Sequence, residues 1–423
     1  TPQLLRAMGA WCCKTENMYK DVPDVWFESR ELVEERYEFG QRMGSGVYAE
    51  VVQMKNRKTG LVSAGKHFRK RTHMEANTVA WAPEARCLLE EVAILKLLGG
   101  ANHCLKLQGL VETPRDLWLL LEFCAKGDLM GAIEHRETAL KESECARWSS
   151  HLLEAVAHCH DFSVAHRDVK PENVFVTSSE ECVLGDFGSA VRYSENPHFH
   201  EERGSSFWSS PETWAGDYDH RADYWSVGLV VLVMVDGLPS SEEIRLLHMS
   251  NLSHAQAHSA KYENKKHHAF SPELRDLLDG LLARDPGKRL TAKAALSTAK
   301  WLTQENEDEL AGSRQNAKAF NESAKLERAL HVALRALLAP EQRAELKVIL
   351  QQDRIFLGGD DTPSKRPDKT HAFLVSAAKL SDAVDALRPR DDNLSKLRAI
   401  CTRTTAVIHV DLDEAPAGGA TTK

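Results

Sequence analysis

The chain has 423 residues, 42% hydrophobic and 27% charged, with a formal net charge of −8. This is globular composition for about two to three domains. The acidic balance argues against a general nucleic-acid binder. The longest apolar run, Val227 to Val235, is far short of a membrane span. The 9 cysteines are scattered with no pair of Cys-x-x-Cys spacings, so neither a disulfide framework nor a zinc site is favoured and a cytoplasmic protein with reduced thiols is expected.

Residues 1–36 carry Trp11, Trp26 and a charged helical stretch from Glu28 to Glu35. They read as an extension packed on, or hanging from, the domain that follows. No secretory leader is expected in them, and Cys12-Cys13 is a weak acylation signal beside the simpler reading of unmodified thiols.

At Tyr37 the pattern turns to strand. Gly44-Ser45-Gly46-Val47-Tyr48-Ala49-Glu50-Val51 fits a glycine-rich hairpin whose backbone N–H groups approach phosphates where a Cβ would collide. Ala49 replaces the third glycine, and a plain β-hairpin fits the same letters. Val51 stands where an apolar residue would cover an adenine ring. In the next strand Lys66 alternates with apolar neighbours such as Ala64. It either enters a cleft to hold α- and β-phosphates or is a solvated edge lysine.

Residues 84–98 follow helical spacing, with Leu88, Glu91, Leu95 and Leu98 on one face. A carboxylate on an apolar stripe needs a cation. Lys66 is the natural partner of Glu91, and Glu84 on the same face is the second candidate. Leu117 to Cys124 is an apolar strand broken by Glu122, and Ala125-Lys126-Gly127-Asp128 then turns into a helix. This suits a hinge between two lobes, with Asp128 as helix cap and, secondarily, a ribose ligand.

His166-Arg167-Asp168-Val169-Lys170-Pro171-Glu172-Asn173 lies between a helical pattern, Trp148 to His160, and a strand-like run, Val174 to Val176. Asp168 to receive a hydroxyl proton, Lys170 to offset phosphate charge and Asn173 to ligate metal compose a phosphoryl-transfer site. Asp186, in Asp186-Phe187-Gly188, adds a second oxygen ligand for the hard ion Mg²⁺. Further on, Asp223 opens an apolar helix, and Glu212 and Arg289 are candidates for a structural ion pair.

In this order the blocks resemble a eukaryotic serine/threonine protein kinase from about Tyr37 to Leu302. The resemblance implies a bilobal α+β fold: a small antiparallel β lobe with one helix, and a large helical lobe. It implies ATP and Mg²⁺, and protein substrates phosphorylated on Ser or Thr. It assigns Asp168, Lys170, Lys66 and Glu91 to catalysis. It assigns Gly44, Ser45, Gly46, Val51, Ala64, Lys66, Glu122, Cys124, Asp128, Asn173 and Asp186 to the nucleotide, with Asn173 and Asp186 on the metal. Lys170 and Ser205 are the serine/threonine form. Ser210, Val233 and Leu238-Pro239-Ser240 depart from the usual pattern without removing a catalytic group. A silent scaffold on the same fold is the competing class, and the presence of Lys66, Asp168 and Asp186 weighs against it. Asp128 and Glu172 imply a preference for basic residues N-terminal to the target. Arg167 implies an anionic partner on the activation segment: a phosphate on Ser194, Ser205 or Ser206, or the fixed charges of Glu201 and Glu202.

Residues 303–319 read as a polar linker. An amphipathic helix bearing Lys325, Arg328 and Arg335 follows, and Pro340 opens another. Residues 320–411 resemble the helical junction and a degenerate EF-hand-like region of calcium-dependent protein kinases, of the calcium/calmodulin-dependent group, with a generic helical bundle as the alternative. From Asp391, Lys396 and Thr402 occupy loop positions that need Gly and a carboxylate; from Asp411, Pro416 and Thr422 do. An all-α C-terminal region without an intact calcium loop is therefore expected, then a disordered tail at 412–423. The helix 323–338 is expected to dock on the kinase domain and regulate it.

Overall fold

The computed structural model describes residues 24–26, 29–45, 50–69, 83–194, 197–200, 206–237, 270–310 and 312–322, the positions 324, 338, 342 and 346, and the strands 372–376 and 407–411. The small lobe begins with β1 (Asp24–Trp26) and α1 (Arg30–Arg36). It continues through β2 (Tyr37–Ser45), β3 (Glu50–Asn56), β4 (Val62–Arg69), α2 (Pro83–Leu98), β5 (Leu107–Glu112) and β6 (Asp116–Glu122). These strands form one sheet in the order β1-β5-β6-β4-β3-β2.

Strand β6 is apolar almost throughout because both of its faces are covered. Leu117, Leu119 and Leu121 join the main core between the lobes. Trp118 and Leu120 point the other way and pack with Val33, Tyr37, Met54 and Val111. Val33 comes from α1, so the N-terminal extension roofs the outer face of the sheet. β1 pairs with β5 in parallel, Val25 opposite Val111, whereas the other ladders are antiparallel. The extension is thus part of the small lobe and adds a parallel strand to the expected antiparallel sheet.

The large lobe is built on α3 (Leu129–Glu134), α4 (Glu142–Asp161), α5 (Pro211–Ala215), α6 (Ala222–Asp236), α7 (Pro272–Leu281) and α8 (Ala292–Thr298), with the short strands β7 (Val164–Ala165), β8 (Val174–Val176), β9 (Cys182–Leu184) and β10 (Val191–Arg192). Helix α6 is buried from Ala222 to Met234, so its sequence is apolar on all sides. At Gly228 an added Cβ would meet the Leu282 side chain at 2.8 Å, so glycine lets α7 lie close to α6.

His151 of α4 stacks on His103 with ring centroids 4.0 Å apart, and both rings hold the Cys182 backbone. Burial, then the positive field of His103 and Arg147, lowers the His151 pKa to about 4. Between pH 6.5 and 4 the unfolded chain therefore binds a proton that the folded chain refuses, so stability falls as pH drops through that window. Urea midpoints across the window should decline, and His151→Gln should flatten the decline. His220, also held down by burial and His160, leaves a residual slope of the same sign.

The expected linker at 303–319 is not a free tether. Glu142 and Ser143 N–H donate to the carbonyls of Asp308 and Asn306 at 3.0 Å, and Leu310 N–H donates to Leu140 C=O at 2.8 Å. The polar letters of this strap satisfy backbone and side-chain partners on the α3–α4 loop instead of solvating a tether. Helical residues 313–322 follow, with Ser313, Ala317 and Phe320 buried. The C-terminal region is also not all-α. Strands β11 (Ala372–Ser376) and β12 (Val407–Asp411) pair antiparallel, Ala372 opposite Asp411. Phe373-Leu374-Val375 and Val407-Ile408 are the bulky and β-branched residues that suit a ladder, and the helical reading passed over them. Cα atoms of β11 come within 8 Å of those of Ser206–Trp208. The basic stretch 325–337, the stretch 391–402 and the tail 412–423 lie outside the described residues.

Candidate active site

Register puts the small-lobe site residues on one face. In β4, Lys66 lies opposite Val51 of β3 and Leu119 of β6, and Ala64 lies opposite Leu121. Residues two apart in a strand share a face, as do directly opposed residues. Val51, Ala64 and Lys66 therefore face the cleft. Gly44 and Ser45 end β2 opposite Val51 and Glu50. Gly46 lies outside the described residues.

Helix α2 brings Glu91 beneath this face. Lys66 Nζ is 3.0 Å from both Glu91 carboxylate oxygens and 2.9 Å from Asp186 Oδ1. Burial alone would push the Lys66 pKa down, but the attraction of Glu91 and Asp186 outweighs it and holds the ammonium charged. Burial likewise pushes Asp186 up, and Lys66, with Lys170 and His166, more than reverses that, so the carboxylate stays ionised. The side chain of the other candidate, Glu84, is outside the described residues.

The loop from His166 to Asn173 is assembled on one buried acid. Asp223, at the start of α6, accepts the His166 N–H at 2.9 Å and the Arg167 N–H at 2.8 Å, and lies 2.8 Å from His160 Nε2. Burial would raise the Asp223 pKa, and the His160 hydrogen bond and charge lower it below the usual carboxylate range. No role was read for Asp223 in the sequence. The available signal was an acid opening an apolar helix, since a buried carboxylate needs partners.

On this support, Lys170 Nζ lies 2.9 Å from Asp168 Oδ2. Asn173 Nδ2 donates to the Asp168 carbonyl at 2.8 Å and to Asp168 Oδ2 at 3.0 Å, which leaves Asn173 Oδ1 to ligate. Gly185 N–H donates to Asn173 C=O at 2.8 Å, and His166 Nε2 bonds Gly185 C=O at 3.0 Å. These bonds set Asp186 next to Asn173. The His166 ring packs edge-on against buried Phe187, centroids 4.9 Å apart. Asp186 holds φ +56°, a left-handed conformation that costs a non-glycine residue about 1–3 kcal/mol. Its ion pair with Lys66 opposes that cost.

Lys66, Asp168, Asn173 and Asp186 thus converge between the lobes. Asp128 caps α3, accepting from Gly131 N–H at 2.8 Å, as its position implied. Glu122 ends β6, and its N–H bonds Lys106 C=O at 2.9 Å. Cys124 is buried, and burial with the nearby Glu122 raises its thiol to about 12. Ser210 accepts from Thr213 N–H and so caps α5, which accounts for a serine there. Arg289 meets Glu212 in a two-pronged ion pair, at 2.5 and 3.0 Å.

Residues 37–302 match the protein kinase domain, and the chain belongs to that family. It is 26% identical over 289 residues to calcium-dependent protein kinase 22 of Arabidopsis thaliana, covering 66% of this chain and 57% of that one. It is 29% identical to CBL-interacting protein kinase 11 of Oryza sativa subsp. japonica, over 62% of this chain and 51% of that one. It is 27% identical to serine/threonine-protein kinase 33 of Mus musculus, over 67% and 58%. The chain spans about half to three-fifths of the length of these curated relatives. A chain in the structure of the CAK complex from Chaetomium thermophilum bound to ATP-gamma-S shares the fold, with TM-score 0.52 and 23% identity over 66% of this chain and 95% of that one. The relatives carry several group names at similar identity, so the likeness singles out no group within the family.

Proposed function

We propose that the protein transfers the γ-phosphate of ATP to serine and threonine hydroxyls of proteins. The observation that carries this reading is the convergence of Lys66, Asp168, Asn173 and Asp186 on one cleft. Asp168 accepts the hydroxyl proton, held in aim by Asn173 and balanced by Lys170. Lys66, kept charged by Glu91, takes the α- and β-phosphates. Val51, Ala64, Glu122 and Cys124 bound the adenine side, with Gly44 and Ser45 above the phosphates. Asn173 Oδ1 and the ionised Asp186 are hard oxygen donors that fit Mg²⁺. When bound, that ion screens phosphate charge.

A preference for basic residues before the target is supported by Glu172. Among the described residues its Oε2 is buried without a hydrogen-bond partner, and burial holds its pKa up despite Lys170. A substrate guanidinium would satisfy it. The C-terminal region supports a regulatory reading: β11 runs beside Ser206–Trp208, and Phe320 packs toward Trp208 at 6.2 Å. Docking of helix 323–338 on the same lobe is part of that proposal, and so is the absence of a direct calcium response. Among the described residues no helix is long and apolar enough to cross a membrane, and the described cysteines are free thiols. The free thiols favour a cytoplasmic site of action.

The test is phosphate transfer from ATP and Mg²⁺ to arginine-containing peptides that differ in carrying Ser, Thr or Tyr. Product on Ser and Thr is expected; product on Tyr alone, or none, would overturn the assignment. The tail is tested by comparing 1–322, which keeps the docked strap, with the full chain. A faster 1–322 is expected, and equal rates would remove the regulatory reading. A response of the full chain to micromolar calcium would overturn the calcium reading.

A further inference from the structure

Arg167 adopts φ +64°, a conformation that non-glycine residues avoid unless held. Three attachments hold it. Its N–H goes to Asp223, its Nε donates to Ser189 C=O at 2.8 Å, and its guanidinium carbon lies 5.4 Å from the centre of the Phe199 ring. An aromatic face therefore stands beside the cation for which the sequence reading expected a phosphate or a carboxylate.

Phe199 is itself fixed on both sides. Its N–H donates to Tyr218 C=O at 2.7 Å, and the Tyr218 N–H returns to Phe199 C=O at 3.2 Å. The rings of Phe199 and Tyr218 meet edge-on at 5.3 Å, and Tyr193 meets Phe199 at 6.4 Å. Tyr193 stacks on His220 at 4.9 Å and its hydroxyl donates to His160 C=O at 3.3 Å. His160 Nε2 reaches Asp223 Oδ2, the carboxylate that carries the catalytic loop. Two routes thus run from Phe199 to Asp223, one through Arg167 and one through Tyr193 and His160.

We infer that Phe199 is a positioning residue: its ring takes the place of a phosphate as the partner of Arg167 and locks the activation segment to the catalytic loop without modification. An aromatic face attracts a guanidinium through its quadrupole and needs no ionised group. The lock is therefore built by folding rather than switched on by another enzyme. Its kinetic consequence rests on the phosphotransfer reading; its structural consequence does not.

The experiment uses the full chain after phosphatase treatment, with mass spectrometry showing no phosphate. The treated wild type is expected to keep the kcat of the untreated protein. Phe199→Ala and Phe199→Leu should lower kcat about tenfold with the KM for ATP unchanged, and Phe199→Tyr should restore it, because the ring and not the volume is the partner. Hydrogen exchange at residues 165–169 without nucleotide should quicken in the alanine and leucine variants and not in the tyrosine variant. This arm reads the lock even if no phosphate transfer is found. Unchanged exchange in Phe199→Ala, a leucine variant that matches wild type, or loss of activity on phosphatase treatment would each overturn the inference.

Discussion

Asp168→Ala is expected to lower kcat for phosphate transfer by roughly 1000-fold while leaving ATP affinity close to wild type, the scale set by loss of a general base in the transition state. The reason lies in what the carboxylate touches. Lys170 Nζ and Asn173 Nδ2 are its close partners, at 2.9 and 3.0 Å, and both belong to the loop proposed to face the acceptor hydroxyl. On the proposed reading the phosphates are instead held by Lys66, which is anchored on Glu91 and Asp186. Single-turnover rates with ATP affinity by calorimetry separate the two effects. Asp168→Asn keeps the side-chain shape but cannot take the proton, so it should be nearly as slow as alanine. If either variant kept more than a tenth of the wild-type rate, Asp168 would not be the proton acceptor.

The second large effect concerns stability. Glu212→Ala should destabilise the large lobe by about 3–5 kcal/mol, because it leaves a buried guanidinium without its counter-charge. The Arg289 side chain is fully buried, and apart from Glu212 it donates to the carbonyls of Ala283, Arg221 and Arg284 and lies 5.4 Å from the Trp225 ring centre. It joins α5, α6 and the loop after α7, so the whole lobe should feel the loss. On the usual scale for a lobe of this size, the thermal midpoint should fall on the order of 10 °C. Glu212→Gln keeps one acceptor oxygen for the guanidinium and should lose less. A midpoint within a degree of wild type would mean that the pair is dispensable.

The convergence of Lys66, Asp168, Asn173 and Asp186 was legible because the proposed phosphoryl transfer restricts residue type at each point, each residue answering one chemical need. Glu91 was legible through helix periodicity, which placed a charge on an apolar stripe, and the structure pairs it with Lys66. Three things were not legible, each for its own reason. Asp223 looked like an ordinary first-turn acid, since nothing in its neighbourhood shows that backbone from residues 166 and 167 will converge on it. The strap at 304–310 looked like linker because polarity marks solvent exposure only when no partner backbone is at hand, and the α3–α4 loop supplies one. The pair β11–β12 was missed because two short strands separated by some thirty residues carry no local signal of their pairing.

The parallel pairing of β1 on β5 has a consequence for how this molecule meets others. A sheet margin presents a row of open amide and carbonyl groups that any extended peptide can zip onto. Here the chain's own residues Asp24–Trp26 occupy that margin. Without these three residues the backbone of β5 would become the margin in their place.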